Sequence, residues 1–405
     1  MSLATTGAGR SKGQKAAIPT LTLTATTTAP GETVTIDRMT PAAGKTLTIA
    51  WGDGNSTVVA AGDETAKSNV YAAAGTYSVT VTPATDIVQI DLHNSKLSGF
   101  QSSQLATSAI TLFYCYSLGA AVASVIDSQH MASWTPSRWY LFSMPVGTYN
   151  IDSADMAAWT PSDWRLFSMP AGTYRIDSAD MATWTPSTWV LSMPAGGTYS
   201  IDSEHMASWT PGTWQLYSMS AGGTYSIDSE HMAAWTPSGW YLYSMPAGTY
   251  RIDSADMATW TPSYWHLYSM PAGTYAIDSA DMAAWTPSSW YLYSMPAGTT
   301  FTLDAAHFAG FTRCGVFRAD ANGWSAAQVN AVLWGLYQAT LNRTVTGGTI
   351  QMDGTNAAPS GTFQAAASCP VTAATPGKEV AHELLNDGCN AIAEGETWAT
   401  VAVTA

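Results

Sequence analysis

The chain has 405 residues, 46% of them hydrophobic and only 11% charged, which supplies a large buried core and excludes disorder as the dominant state. Its 29 acidic residues against 15 basic ones give a formal charge of −14, without the dense basic surface that a phosphate backbone requires, so nucleic acid is excluded as an expected partner. No window approaches the roughly 18 consecutive apolar residues of a membrane span, and the tail over residues 1–20 carries Arg10, Lys12 and Lys15 without the apolar core of a secretory signal peptide.

Residues 21–86 contain short alternating Thr/Val-rich runs separated by Pro-Gly, Asp-Gly and Gly-Asp turns, the pattern of an antiparallel β domain. Within them, TIAWGDG from Thr48 and VYAAAGTYSVTV from Val70 resemble the WxDG turn and the HxYxxxGxYxVxV strands of PKD-like domains. The resemblance implies an immunoglobulin-like sandwich. Residues 87–125 read as leading coils, because IDLHNSKLSGF from Ile90 resembles the LxLxxNxLxGx signature of leucine-rich repeats.

Residues 126–302 hold the strongest signal. The segment IDSQHMASWTPSRWYLFSMPVGTYN from Ile126 restarts at Ile151, Ile176, Ile201, Ile227, Ile252 and Ile277, giving seven copies of 25 or 26 residues, and a decayed eighth begins at Leu303. Such periodicity marks a solenoid, in which equivalent positions of successive copies stack into one continuous core. Two Trp per copy, Trp134 and Trp139 in the first, are expected inside, together with Leu141, Met131, Ile126 and their equivalents. The W-x-L-x-S-M stretch alternates with period two and predicts one short parallel strand per copy. On the opposite side, D-S-x-x-M-A-x-W predicts a single helical or 3₁₀ turn capped by Asp or Ser and ended by Thr-Pro-Ser. The copies look like drifted leucine-rich repeats, and the resemblance implies a solenoid of seven to ten coils.

Residues 303–360 predict a cap for the last coil. A capping box opens at Ser325 with Gln328, and Val329, Leu333 and Leu336 share one face of a helix over 325–339. With GGTIQMDGTNAAPS from Gly347, this region is similar to the closing segment of bacterial and phage leucine-rich-repeat proteins. Residues 361–405 predict an α/β segment, with a helix from Pro376 that stops at Gly388 and a strand from Trp398 to Val403. Cys115, Cys314, Cys369 and Cys389 form no CxxC pair or zinc-ligand spacing. Cys369 and Cys389 are either a disulfide or buried free thiols.

No unique carboxylate pair, nucleophile with a nearby His, or phosphate loop stands out, so an enzyme is not expected. His130, His205, His231 and His307 alternate with Asp155, Asp180, Asp256 and Asp281 at one repeat position, which reads as a solvated surface. An Asp column from Asp127 to Asp304 is read as local backbone caps, with Ca²⁺ between coils as the alternative and no other cofactor expected. If Trp and Leu of W-x-L point inward, two columns point outward. The first is varied: Tyr140, Arg165, Val190, Gln215, Tyr241, His266 and Tyr291. The second is aromatic in six copies: Phe142, Phe167, Tyr217, Tyr243, Tyr268 and Tyr293. The third copy is one residue short there. This face is the expected ligand-binding surface. The fold class is therefore mainly β: a sandwich, a solenoid and a helical C-terminal cap. The expected function is extracellular or virion-surface binding to a carbohydrate or a protein, without catalysis. The alternative is a structural subunit that self-associates into a filament or virion component.

Overall fold

The computed structural model describes residues 17–403 apart from 194–196, 343, 368, 370, 373–374, 388, 390 and 393–396. Arg10, Lys12 and Lys15, and Gly388 at the expected stop of the last helix, lie outside the described residues. The protein is mainly β, with 36% strand and 16% helix, and most strands belong to long parallel ladders.

The N-terminal strand Leu21–Thr27 alternates buried and half-buried residues along its length, so Leu21, Leu23 and Ala25 face a core. It pairs antiparallel with Gly75–Thr82 in a five-stranded sheet that also holds Thr46–Ala50, Ser56–Ala60 and Leu97–Ser98. A second antiparallel pair joins Glu32–Ile36 to Lys67–Tyr71. Trp51 is buried between them; its indole donates to Thr57 Oγ1 at 3.0 Å and its carbonyl accepts from the Tyr71 hydroxyl at 2.8 Å. Gly52 has φ of +83°, and a Cβ there would sit 2.6 Å from the Ser78 carbonyl oxygen, so the turn admits only glycine.

This region shares strands with the solenoid. Arg38–Pro41 pairs antiparallel with Ile87–Leu92, the first parallel strand of the array, while Leu97–Ser98 returns to the five-stranded sheet. The first coil is thus covered by an antiparallel strand whose Pro41 and adjacent bulge blunt the sheet edge.

Each repeat forms one coil with two strands rather than one. In the second copy, Asp163–Phe167 lies in a thirteen-stranded sheet and Thr173–Asp177 in a parallel eight-stranded sheet, with the 3₁₀ turn Ser178–Met181 leading into the next coil. The T-Y-x-I-D strand was not expected from sequence, because its five residues follow the Pro-Ala-Gly stop directly and its Ile had been placed only as a core residue. Pairing is in register from copy to copy, Trp139 on Trp164 on Trp189 and Leu141 on Leu166 on Leu191.

The register builds the core. The Trp139 column stacks face to face with centroids 5.6–6.0 Å apart, from Trp139 through Trp164, Trp189, Trp214, Trp240 and Trp265 to Trp290. Phe113 and Phe317 continue the stack at its ends. The Trp134 column meets it at steep angles of 56–63° between Trp159 and Trp285, the edge-to-face geometry that a ring quadrupole favours. The Met131 and Ile126 columns are buried as expected, and so is a Tyr column the sequence reading overlooked, Tyr149 to Tyr275. The hydroxyls of Tyr149, Tyr174, Tyr250 and Tyr275 donate to the carbonyl of the proline four residues earlier, at 2.6–3.0 Å, which satisfies them inside the core.

A serine ladder locks the coils to one another. Ser128 is buried; its Oγ accepts from the Asp152 backbone N–H of the next coil at 2.9 Å and donates to Asp155 Oδ2 at 2.6 Å. Ser153, Ser229 and Ser254 repeat this with Asp180, Asp256 and Asp281. Where the copy carries His instead, Nδ1 of His130, His205, His231 or His307 lies 3.0–3.2 Å from the serine hydroxyl. The His/Asp position is therefore not a free solvated surface: both residue types bond the serine of the preceding coil.

The decayed eighth copy starts α1 (Ala305–Phe308), against which α2 (Ala326–Thr340) packs. Ser325 and Gln328 form the expected capping box, and Val329, Leu333 and Leu336 are buried. The thirteen-stranded sheet continues past the repeats through Val316–Arg318, Thr349–Met352 and Thr400–Val403, so its parallel ladder exceeds ten strands and the C-terminal segment supplies its last one. A third helix, α3 (Gly377–Asn386), packs on α2, and Cys369 and Cys389 form a disulfide while Cys115 and Cys314 are buried thiols. No helix among the described residues is long and apolar enough to cross a membrane.

Because coils contact mainly their neighbours, deleting residues 201–226, one whole copy, is expected to leave a folded, shorter protein with β circular dichroism and a cooperative thermal transition. Loss of that transition would contradict the solenoid.

Candidate functional site

Both outward columns lie on the thirteen-stranded sheet in strict register. Tyr140 pairs with Arg165, then Val190, Gln215, Tyr241, His266 and Tyr291, and Phe142 pairs with Phe167. The strand of the third copy, Thr188–Ser192, puts Ser192 opposite Phe167, which settles its register. The missing residue is a corner serine: Ser143, Ser168, Ser218, Ser244, Ser269 and Ser294 follow the aromatic position with φ near +50°, and Ser192 replaces both.

The aromatic column is two separate stacks. Tyr116, Phe142 and Phe167 stack at 4.4 Å, and Tyr217, Tyr243, Tyr268 and Tyr293 stack at 4.3–4.8 Å, all within 21° of parallel. Each interior ring has both faces covered by its neighbours, so the ligand-accessible parts are ring edges and hydroxyls. The two outer ends are closed by polar groups. His93, beside Asp91 and Asp37, stacks on Tyr116 at 4.9 Å, and the Arg318 guanidinium lies 3.7 Å above the Tyr293 ring while paired to Asp320. Sequence reasoning missed Tyr114, Tyr116 and His93; the signal was the leading-coil strand LFYCY from Leu112, which has the same alternation as RWYLF from Arg138.

The varied column carries the specific polar chemistry. Arg165 forks onto Asp163 at 2.8 and 3.0 Å and lies 4.6 Å over the Tyr140 ring, whose hydroxyl also donates to Asp163. Burial, aided by the Asp163 carboxylate, pushes the Tyr140 hydroxyl well above its ordinary range. Four copies on, His266 stacks on Tyr291 at 4.1 Å, with Nε2 3.1 Å from Ser289 Oγ, and burial lowers its pKa to about 4. Burial also raises Tyr241 and Tyr243 to about 12, so at neutral pH these two tyrosines and His266 are uncharged. Gln215 is half-buried between these groups, and Val190 is buried.

On the eight-stranded sheet, the Asp column caps the 3₁₀ turns: the Oδ1 atoms of Asp127, Asp152, Asp177, Asp202, Asp228 and Asp253 accept the backbone N–H two residues on at 3.0–3.1 Å. Arg175 pairs with Asp152 at 2.6 Å and Arg251 with Asp228 at 2.7 Å, which relieves part of the like-charge repulsion. Among the described residues, no group of three or more His, Cys, Asp or Glu could hold a metal ion, so the geometry lends nothing to Ca²⁺ between coils. No family model, no curated protein and no solved structure matches this chain.

Proposed function

We propose that the chain is a non-enzymatic binding protein, extracellular or on a virion surface, whose thirteen-stranded sheet presents an extended recognition face to a carbohydrate or protein surface. The observation that supports this reading most is the pair of in-register columns: one is regular and aromatic, and the other varies from copy to copy on the same rigid backbone. A rigid sheet holds its side chains without further ordering cost, and Tyr offers contact area and a hydroxyl with few rotatable bonds. Since the ring faces are used within the stacks, contact is made by hydroxyls and edges, and the Arg165–Asp163–Tyr140 cluster distinguishes one end of the face from the other. In this reading the N-terminal domain is PKD-like and the solenoid leucine-rich-repeat-like.

The test is Tyr243→Ser, Tyr268→Ser and Tyr293→Ser together, scored by binding of the labelled chain to an array of immobilised polysaccharides and matrix proteins. Binding is expected to fall at least about tenfold, some 1.4 kcal/mol, with β circular dichroism retained. The alternative reading is a self-assembling structural subunit. Loss of sedimenting polymer with unchanged array binding would select it, and a lower melting temperature alone would reduce the column to a stabilising stack.

A further inference from the structure

All eighteen tryptophans are among the described residues; seventeen are buried and Trp334 is not. In a chain that uses Trp as core filling, a Trp at the edge of the core, only partly buried, is the exception. Its neighbours on the core side, Val332, Leu333 and Leu336, are buried, so α2 already has its apolar stripe without it. One indole face is backed by Tyr337, with ring centroids 5.7 Å apart and planes 17° from parallel. The rest of the side chain lines a cleft of about 430 Å³.

The cleft runs between α2 and the chain entering α1. Ala327, Asn330, Ala331 and Trp334, spaced i, i+3, i+4 and i+7, form one wall, and Leu303, Asp304 and Ala305 form the other. The small alanines leave the space open. Asp304 Oδ1 is used as the cap of α1, accepting the Ala306 N–H at 2.9 Å, while Oδ2 has no hydrogen-bond partner among the described residues. Trp334 Nε1 likewise donates to no acceptor among the described residues. Asn330 is held by Ser360, donating to its hydroxyl at 2.9 Å and accepting its backbone N–H at 3.1 Å, which fixes the amide and leaves one N–H hydrogen spare.

These groups select a ligand by elimination. An anion meets Asp304 with no Lys or Arg in the lining, and a metal ion finds a single carboxylate. A purely apolar molecule would desolvate Asp304 and Asn330 without compensation. What remains is an uncharged molecule with an apolar face for the indole and hydroxyls that both donate and accept. We propose that the cleft around Trp334 binds a neutral saccharide, with Trp334 as the platform, Asp304 Oδ2 accepting from a sugar hydroxyl, and Asn330 Nδ2 and Trp334 Nε1 donating to one. Its volume lies within the roughly 300–1,000 Å³ of small-ligand sites. The site is on the cap and independent of the sheet face, so either can fail without the other.

Calorimetric titration of the full chain with cellohexaose, chitohexaose, laminarihexaose and maltohexaose tests it. At least one is expected to bind saturably with Kd below about 1 mM. Trp334→Ala is expected to weaken that binding at least about tenfold, and Asp304→Asn, which keeps the capping oxygen, about threefold to tenfold. The triple Tyr→Ser variant of the sheet face should bind the same sugar unchanged. Absence of binding to all four oligosaccharides, or equal binding by Trp334→Ala with an unaltered melting temperature, overturns the proposal. Binding lost only in the sheet-face variant overturns it too, by placing the sugar on the other surface.

Discussion

Trp214→Ala is expected to destabilise the protein by about 3–5 kcal/mol, the range for removing a large buried aromatic and leaving a cavity. Trp214 is fully buried, stacked between Trp189 at 5.9 Å and Trp240 at 6.0 Å, and met edge-on by Trp235. Removing it interrupts a column in which every ring supports two others, and strand pairing on both sides prevents collapse of the gap. Its indole nitrogen has no hydrogen-bond partner among the described residues, so Trp214→Phe loses area but no hydrogen bond and should cost much less. Urea denaturation of both variants is the measurement. A cost below about 0.5 kcal/mol for the alanine variant, typical of surface positions, would mean that the faces of the sheet are inverted.

The second large effect is expected at Glu383, a carboxylate with no solvent exposure. Its Oε1 accepts the Ala366 N–H at 3.0 Å and its Oε2 the Cys389 N–H at 2.8 Å, so one side chain ties to α3 both the chain just ahead of the Cys369–Cys389 disulfide and the disulfide's second cysteine. Charge-assisted bonds of this kind contribute about 1.5–3 kcal/mol each, and Glu383→Ala removes both from two part-buried backbone donors. A loss of about 3–6 kcal/mol in the stability of the C-terminal segment follows if the two bonds add. Since the Trp398 N–H donates to the Leu384 carbonyl at 2.9 Å, the last strand Thr400–Val403 should loosen with α3. Hydrogen exchange should show faster exchange over α3 and that strand while the repeat strands keep their protection. Unchanged exchange in α3 would show that the carboxylate carries little of the segment's stability.

The sequence made some columns legible and hid others for physical reasons. Trp139, Leu141, Met131 and Ile126 were readable because large apolar residues repeated every 25 or 26 positions have no other place to go. The Asp-capped turn was readable because Asp127 followed by Ser128 is a local signal, and the capping box at Ser325 for the same reason. The second strand was hidden because Thr148–Asp152 mixes Thr, Tyr, Asn and Asp around a single Ile, and its burial depends on Tyr149 finding the Pro145 carbonyl, a contact made by a turn. The His130 and Asp155 position was misread because its partners, Ser102 and Ser128, are 27 or 28 residues away in sequence yet adjacent in space. For the outward face, the positions were legible from alternation. The use of the ring faces was not, since whether Tyr268 offers its face or its edge is decided by the rotamers of Tyr243 and Tyr293.

Seven nearly interchangeable units create a translational degeneracy: a strand of one copy fits almost as well beside the copy after next, and the skipped copy would simply bulge out as a loop. A chain of truly identical units would have no way to tell those pairings apart. Ser192 breaks the equivalence, because the third copy has neither the ring nor the left-handed corner serine that its neighbours carry. In the native order Phe167 and Tyr217 both flank Ser192, so one ring stack ends and the other begins at this copy. The short copy is therefore an index mark on an otherwise uniform ruler: a pairing shifted by one copy moves the break in the ring column and is no longer equivalent to the native one.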